Sequence, residues 1–234
     1  MILCLETATP LCSVAICDQA GIIALKENNE GKSHATMLTL FIKEVLETAG
    51  IKAGDLEAIA VSKGPGSYTG LRIGVSTAKG IAYAASVPLI AIETTLSMFL
   101  GFFSIAKEKH GATTGDFFCP MLDARRMEVY YSVFNSEGRA IKGIRAEVID
   151  KTSFDDIPGS ARIFFFGDGA LKCKEVIKRE NAFFANDFRI SAAYMHKPAY
   201  NSLMEHNFEN VAYFEPFYLK DFITSKPVKN ILGK

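Results

Sequence analysis

The sequence predicts an α/β fold built from two βββαβα units in tandem, a two-lobed arrangement. Three observations predict it. Short apolar runs of strand length alternate with longer segments of helical period through the first half. The order strand, turn, strand then begins again 117 positions on, where Leu5-Glu6-Thr7 falls on Leu122-Asp123-Ala124 and Gly21 on Gly138. Between the strand Ala58–Val61 and a helix lies the loop Gly64-Pro65-Gly66-Ser67-Tyr68-Thr69-Gly70.

Taken in order, Ile2 to Leu5 is a strand and Glu6-Thr7-Ala8-Thr9-Pro10 a polar turn. Cys12 to Cys17 is a second strand, Asp18-Gln19-Ala20-Gly21 a hairpin turn, and Ile22 to Lys26 a third strand. Ser33 stands where a helix cap belongs, ahead of a helix from Ala35 to Ala49 that Gly50 ends. Its apolar residues are Met37, Leu38, Leu40, Phe41, Ile42, Val45, Leu46 and Ala49. They cover roughly 240° of the helix, against a stripe of about 100° for one core. Such a helix is either sandwiched in its own domain or meets a partner chain. The second helix follows the glycine loop, then a strand at Pro88 to Ile92 and a helix from Thr95 to Lys107. The polar, aperiodic stretch Lys107 to Gly115 suggests a junction between domains at 1–108 and 109–234.

The second unit reads as strands at Phe117–Leu122, Met127–Phe134, Ala140–Val148 and Ile163–Phe166. The turn Gly167-Asp168-Gly169 leads into a helix through about Arg179, and a last helix spans Ser191 to about Asn207. The aromatic tail Phe214 to Asp221 is expected to dock, and 225–230 to fray.

The 234 residues are 49% hydrophobic and 22% charged with a formal net charge of zero, so the whole chain has no electrostatic case for holding nucleic acid unaided. No apolar run reaches the roughly 20 residues of a membrane span. The start meets Glu6 too early for a secretory leader, so a cytoplasmic protein is expected. Five cysteines, an odd number with no Cys-x-x-Cys pair, read as reduced and structural.

The glycine loop carries the chemical signal. Gly64, Gly66 and Gly70 permit positive φ and close backbone approach. Ser67 or Thr69 can cap the helix, whose first N–H groups suit an anion. Downstream, Gly70, Gly74, Ala78 and Ala82 recur every four residues and form a smooth stripe against which another helix can lie. The loop is no Walker A motif, and its third glycine comes one place late for a dinucleotide fingerprint.

A duplicated βββαβα unit with a carboxylate–threonine turn after its first strand resembles the actin/Hsp70/sugar-kinase superfamily. A narrower resemblance, over nearly the whole chain, is to the TsaB (YeaZ) family. Ile2-Leu3-Cys4-Leu5-Glu6-Thr7-Ala8, Ser33-His34, Gly64 to Gly74, Leu122-Asp123-Ala124-Arg125-Arg126-Met127-Glu128-Val129-Tyr130 and Glu215-Pro216-Phe217-Tyr218-Leu219 carry it. The resemblance implies a non-catalytic subunit of the bacterial machinery that places threonylcarbamoyl on adenosine 37 of tRNAs reading ANN codons. The paralogue TsaD does the transfer and pairs with the N-terminal domain, and the ATPase TsaE joins them. Contact with tRNA is then indirect, and the chain alone is expected to form a homodimer.

Where the paralogue has two metal-binding histidines four apart, this chain has His34 and Leu38, which cannot make a metal site. Ala8 replaces the glycine of the superfamily's phosphate turn, so no cofactor of its own is expected, a nucleotide being placed only at the interface with TsaD. The expected partner surface is Met37, Leu38, Phe41, Ile42 and Val45 with Gly70, Gly74, Ala78 and Ala82. An anion loop would draw on Thr7, Thr9, Gly64, Gly66, Ser67 and Thr69. The runner-up reading is a nucleotide-binding kinase or ATPase of the same superfamily.

Overall fold

The alternation of the first thirty residues becomes a meander in the computed structural model, which describes residues 1–28 and 34–220. Ser33 and the tail beyond Lys220 lie outside the described residues. Strands β1 (Ile2–Glu6), β2 (Cys12–Cys17) and β3 (Ile22–Asn28) are antiparallel, Leu3 facing Ile16 and Ala15 facing Leu25. After helix α1 (His34–Ala49), β4 (Ala58–Gly64) runs parallel to β1. Helix α2 (Tyr68–Ala85) leads to β5 (Leu89–Glu93), parallel to β4, and α3 spans Thr94–His110. The sheet order is β3-β2-β1-β4-β5.

Strand periodicity divides this sheet into two buried faces. Leu3, Leu5, Val14, Ile16, Ile59 and Val61 face one core with Leu38, Phe41, Val45 and Val75 of α1 and α2. Ile2, Cys4, Ala15, Cys17, Ala58 and Ala60 face the other, beneath Met195 and Ala199.

The second sheet repeats the plan. Strands β6 (Phe117–Asp123), β7 (Glu128–Asn135), β8 (Ala140–Val148), β9 (Ile163–Phe166) and β10 (Ala182–Ala185) pair in the order β10-β9-β6-β7-β8. The short α4 (Ala170–Cys173) follows β9, and α5 (His196–Met204) follows a single 3-10 turn at Ala192–Met195. Helix α3 lays Met98, Phe99, Phe102 and Ala106 against Phe118, Phe134, Phe164 and Phe166 of this second sheet. The turn before α5 and α5 itself, from the second half, bring Ala192, Met195 and Ala199 back to cover the first. Each half thus lends the other a helix, because a mixed sheet buried on both faces needs a cover on each.

The duplication is complete in strand order but not in helices. Where the first unit has α1, residues 149–162 run as turns. Ile149, Phe154 and Ile157 from this stretch fill the core that a helix would otherwise cover. Arg179 holds the stretch in place, its guanidinium donating to the carbonyls of Phe154 (2.9 Å), Ile157 (3.1 Å) and Pro158 (2.8 Å). The 117-residue register therefore ends with the third strand. The helix expected through Arg179 stops at Cys173, and the chain beyond it turns towards β10, which the sequence reading did not resolve. The helix expected from Ser191 begins as the 3-10 turn, with Ser191 Oγ accepting the amide of Ala193 at 3.1 Å.

Candidate functional site

Glu6 ends β1 with its side chain fully buried. Its Oε1 accepts the amide of Ala8 at 2.6 Å, while Oε2 is buried with no hydrogen-bond partner. Burial pushes the carboxyl from 4.5 up to about 7, against the pull of the Ala8 hydrogen bond. Beyond Glu6 the turn closes on the glycine loop, as the superfamily resemblance implies. The amide of Ser67 donates to Ala8 O at 2.7 Å. The hydroxyl of Thr7 donates to Gly70 O at 2.8 Å. Cβ atoms on Gly66, Gly70 and Gly74 would run into Ala8 O, Thr7 O and Thr7 Oγ1 respectively. Close approach is thus what these glycines supply.

Part of the expected anion loop is engaged inside the chain. Ser67 caps α2, its Oγ accepting from Gly70 N at 3.3 Å. Thr9 Oγ1 accepts the amide of Leu11 at 3.3 Å, and Thr9 O lies 2.9 Å from His34 Nε2. Gly64, at φ +116°, abuts Phe217 O of the C-terminal segment. Ser67 and Thr69 alone among these six residues are exposed. The second sheet repeats the pattern: Gly169 N donates to Met121 O at 3.0 Å, and the Asp123 amide donates to Asp168 Oδ1 at 3.0 Å. Lys172 pairs with Asp123, whose other neighbour is the amide of Arg125 at 2.9 Å.

Eight of the nine residues of the expected partner surface are buried within the chain. Leu38, Phe41, Ile42 and Val45 are buried against the first sheet, and Gly70, Gly74, Ala78 and Ala82 are buried beneath α2. Met37 packs half-buried on the same core. Of the wide apolar arc of α1, one stripe thus faces the sheet, while Leu40 stays 46% exposed. The hydrophobic effect places the small stripe of α2 where helix meets sheet and turn, at closest range.

The outer side of α2 carries a second stripe that sequence reading passed over: Arg72, Ser76, Gly80 and Ala84, all exposed. A pocket of about 290 Å³ opens there, lined by Ala53, Gly54, Gly80, Ile81, Ala84 and Ala85. Next to it Tyr83 is 81% exposed, and on α1 Leu40 is 46% exposed. A groove of about 420 Å³, lined in part by Leu25, Glu27, Arg189 and Tyr194, lies apart from the glycine loop. Among the described residues no cluster of three or more His, Cys, Asp or Glu could hold a metal, and no helix is long and apolar enough to cross a membrane.

Residues 27–222 match the family model described as TsaD, tRNA N6-adenosine threonylcarbamoyltransferase. The chain belongs to that family. Within it, the resemblance to TsaB (YeaZ) is borne out. The tRNA threonylcarbamoyladenosine biosynthesis protein TsaB of Escherichia coli (strain K12) is 34% identical over 140 residues, 60% of this chain and 57% of that protein. The match spans just over half the length of such curated relatives. The TsaD-family fold is likewise that of YeaZ from Pseudomonas aeruginosa, at TM-score 0.79 and 22% identity over 93% of this chain and 99% of that one. The activator of 2-hydroxyisocaproyl-CoA dehydratase from Clostridium difficile, solved with bound ADPNP, is similar more distantly, at TM-score 0.51 and 8% identity over 88% and 96% of the two chains. These likenesses bear out the actin-like, sugar-kinase-like architecture.

Proposed function

We propose that this chain is an accessory subunit in the biosynthesis of threonylcarbamoyladenosine on tRNAs reading ANN codons. In this reading it performs no chemistry. It docks the transferase TsaD through the outer faces of α1 and α2, and so orders that partner's active cleft. The observation that carries the reading is the outer face of α2. A bare pocket at Gly80 and Ala84 beside an exposed Tyr83 makes a hole and a knob on one helix. Exposed aromatic anchors next to small-residue pockets are what tight interfaces use. The residues expected earlier at the interface act from beneath, holding both helices in place.

Without TsaD, the same face pairs two copies of the chain. A patch holding both knob and hole suits a two-fold interface. The ATPase TsaE joins the assembled pair, tRNA is met through the complex, and the setting is the cytoplasm. Any nucleotide belongs to the interface with TsaD, since the start of α2 already donates to Ala8 O. Leu38 at the place of a second histidine supports the absence of a transferase metal site. Co-expression with TsaD, followed by sizing and a tRNA-modification assay, tests the reading. Modification by the purified chain with no companion would overturn it, as would ATP hydrolysis by the chain alone.

A further inference from the structure

Beyond α5 the chain returns along the first lobe and crosses to the second. Glu209 N donates to Leu89 O at 2.8 Å on the edge strand β5. Lys79 of α2 donates to the carbonyls of Ala212 (3.2 Å) and Phe214 (2.8 Å), and Val211 and Phe214 pack on the first core. Phe217 N donates to Lys63 O at 2.7 Å, at the mouth of the glycine loop. The Tyr218 ring lies 4.7 Å from that of Tyr68, and its hydroxyl accepts from Arg72 Nε at 3.2 Å. The Arg72 guanidinium sits 4.2 Å above the Tyr68 ring. Two residues later Lys220 pairs with Glu128, the first residue of β7. Phe217 and Lys220 are about 10 Å apart even in extended chain. Within that distance the segment passes from the glycine loop of one sheet to the hairpin of the other.

We propose that residues 205–220 are a latch between the two lobes. The segment is fastened along the first lobe by core packing, backbone hydrogen bonds and, last, Tyr218 on Tyr68 and Arg72 of α2, and it closes on the second through the Lys220–Glu128 pair. The two ends differ in strength by design of the contacts. The anchored end is partly buried. The closing end is one surface ion pair, weak and screened by salt, two residues past the stack of Tyr218 on Tyr68 that ends the hold on the first lobe. That gradient lets the latch open without unfolding either lobe. Gly64 is shaped to receive it: its φ of +116° suits glycine, and a Cβ there would lie 2.7 Å from Phe217 O. When closed, the latch holds the glycine loop and the β6–β7 hairpin at one separation. When open, it frees both loops and bares the start of α2.

This inference concerns the isolated chain and stands apart from the docking role above. Hydrogen exchange on the full-length chain, read by mass spectrometry, tests it. Tyr218→Ala should speed exchange about tenfold in both 63–72 and 123–131. Lys220→Gln should speed 123–131, and added salt should reproduce that effect in the unaltered chain. Tyr218→Phe keeps the ring stack and should stay near the parent. Unchanged protection in β1 and β2 shows that each variant is folded. Exchange that quickens only within 205–220, or only in the first lobe, or nowhere, would overturn the latch.

Discussion

Thr7 and Gly70 are fitted to one another. The Thr7 hydroxyl donates to Gly70 O at 2.8 Å, and the site of a Gly70 Cβ is already filled by Thr7 O. The first hairpin turn and the start of α2 are thereby one rigid unit, with Gly66 against Ala8 completing the seam.

Gly70→Ala should therefore be severe. Its methyl meets backbone that cannot move without displacing β1, and a loss of about 3 kcal/mol or more is expected. Gly80→Ala on the outer side should do the reverse. Nothing lies within 4 Å of a Cβ there. Replacing a mid-helix glycine by alanine should add about 0.5–1 kcal/mol. Urea unfolding of the two variants checks both signs; equal effects would mean that the two glycine stripes are not distinct.

The outer face can be separated from stability. Gly80→Leu fills the α2 pocket, and Tyr83→Ala removes the knob beside it. Both should leave urea unfolding within about 0.5–1 kcal/mol of the parent, since neither position is packed. Both should weaken TsaD binding at least tenfold in calorimetry or sizing. Wild-type affinity in both variants would remove α2 from the interface.

Glu6 makes stability depend on pH near neutrality. Burial raises its folded pKa from 4.5 to about 7, so the unfolded chain loses this proton first as pH rises. Between those values the folded state binds more protons, and stability falls with rising pH. The loss should reach about 3 kcal/mol above pH 7. Asp116 acts in the opposite sense at lower pH. Burial would raise its carboxyl, but hydrogen bonds from Arg162 and Thr113 outweigh that and hold it below 3.8. Its contribution is lost only as pH falls through the lowered value. Urea midpoints at pH 5 and pH 8 should differ in the parent and converge in Glu6→Gln. An unchanged difference would assign the effect to another group.

Arg179 stands in for a missing helix. Arg179→Met keeps much of the stem but leaves the carbonyls of residues 154–158 without their shared donor. A cost of about 2 kcal/mol is expected. Hydrogen exchange should rise in 149–162 while β1, β2 and β4 of the first sheet stay protected.

Much of this architecture was legible because it rests on local periods. Apolar runs of four to seven residues, punctuated by Gly21, Gly50 and Gly138, announce strands and turns whatever surrounds them. The glycine loop was legible for a similar reason, since few other residues fit backbone at van der Waals distance. The second unit was harder. Ile163–Phe166 reads as a strand, but Ala182–Ala185, a quartet of the same length, is not resolved from the sequence, since length alone does not separate strand from helix. Residues 149–162 carry no period at all, because one arginine far along the chain, Arg179, organises them.

The sequence by itself determined nine of the ten described strands, the repeated hairpins, the glycine joint and the family likeness, since each is written in neighbouring residues. Only the tertiary structure decided which face of each helix looks outward. Helix α2 bears two stripes of small residues, at Gly70/Gly74/Ala78/Ala82 and at Ser76/Gly80/Ala84. They differ not in composition but in what the folded chain puts against them. Thr7 and the first core press on one, and the other is left to the solvent. Burial is a property of contacts between distant segments, so no reading of neighbours along the chain could have told the two apart.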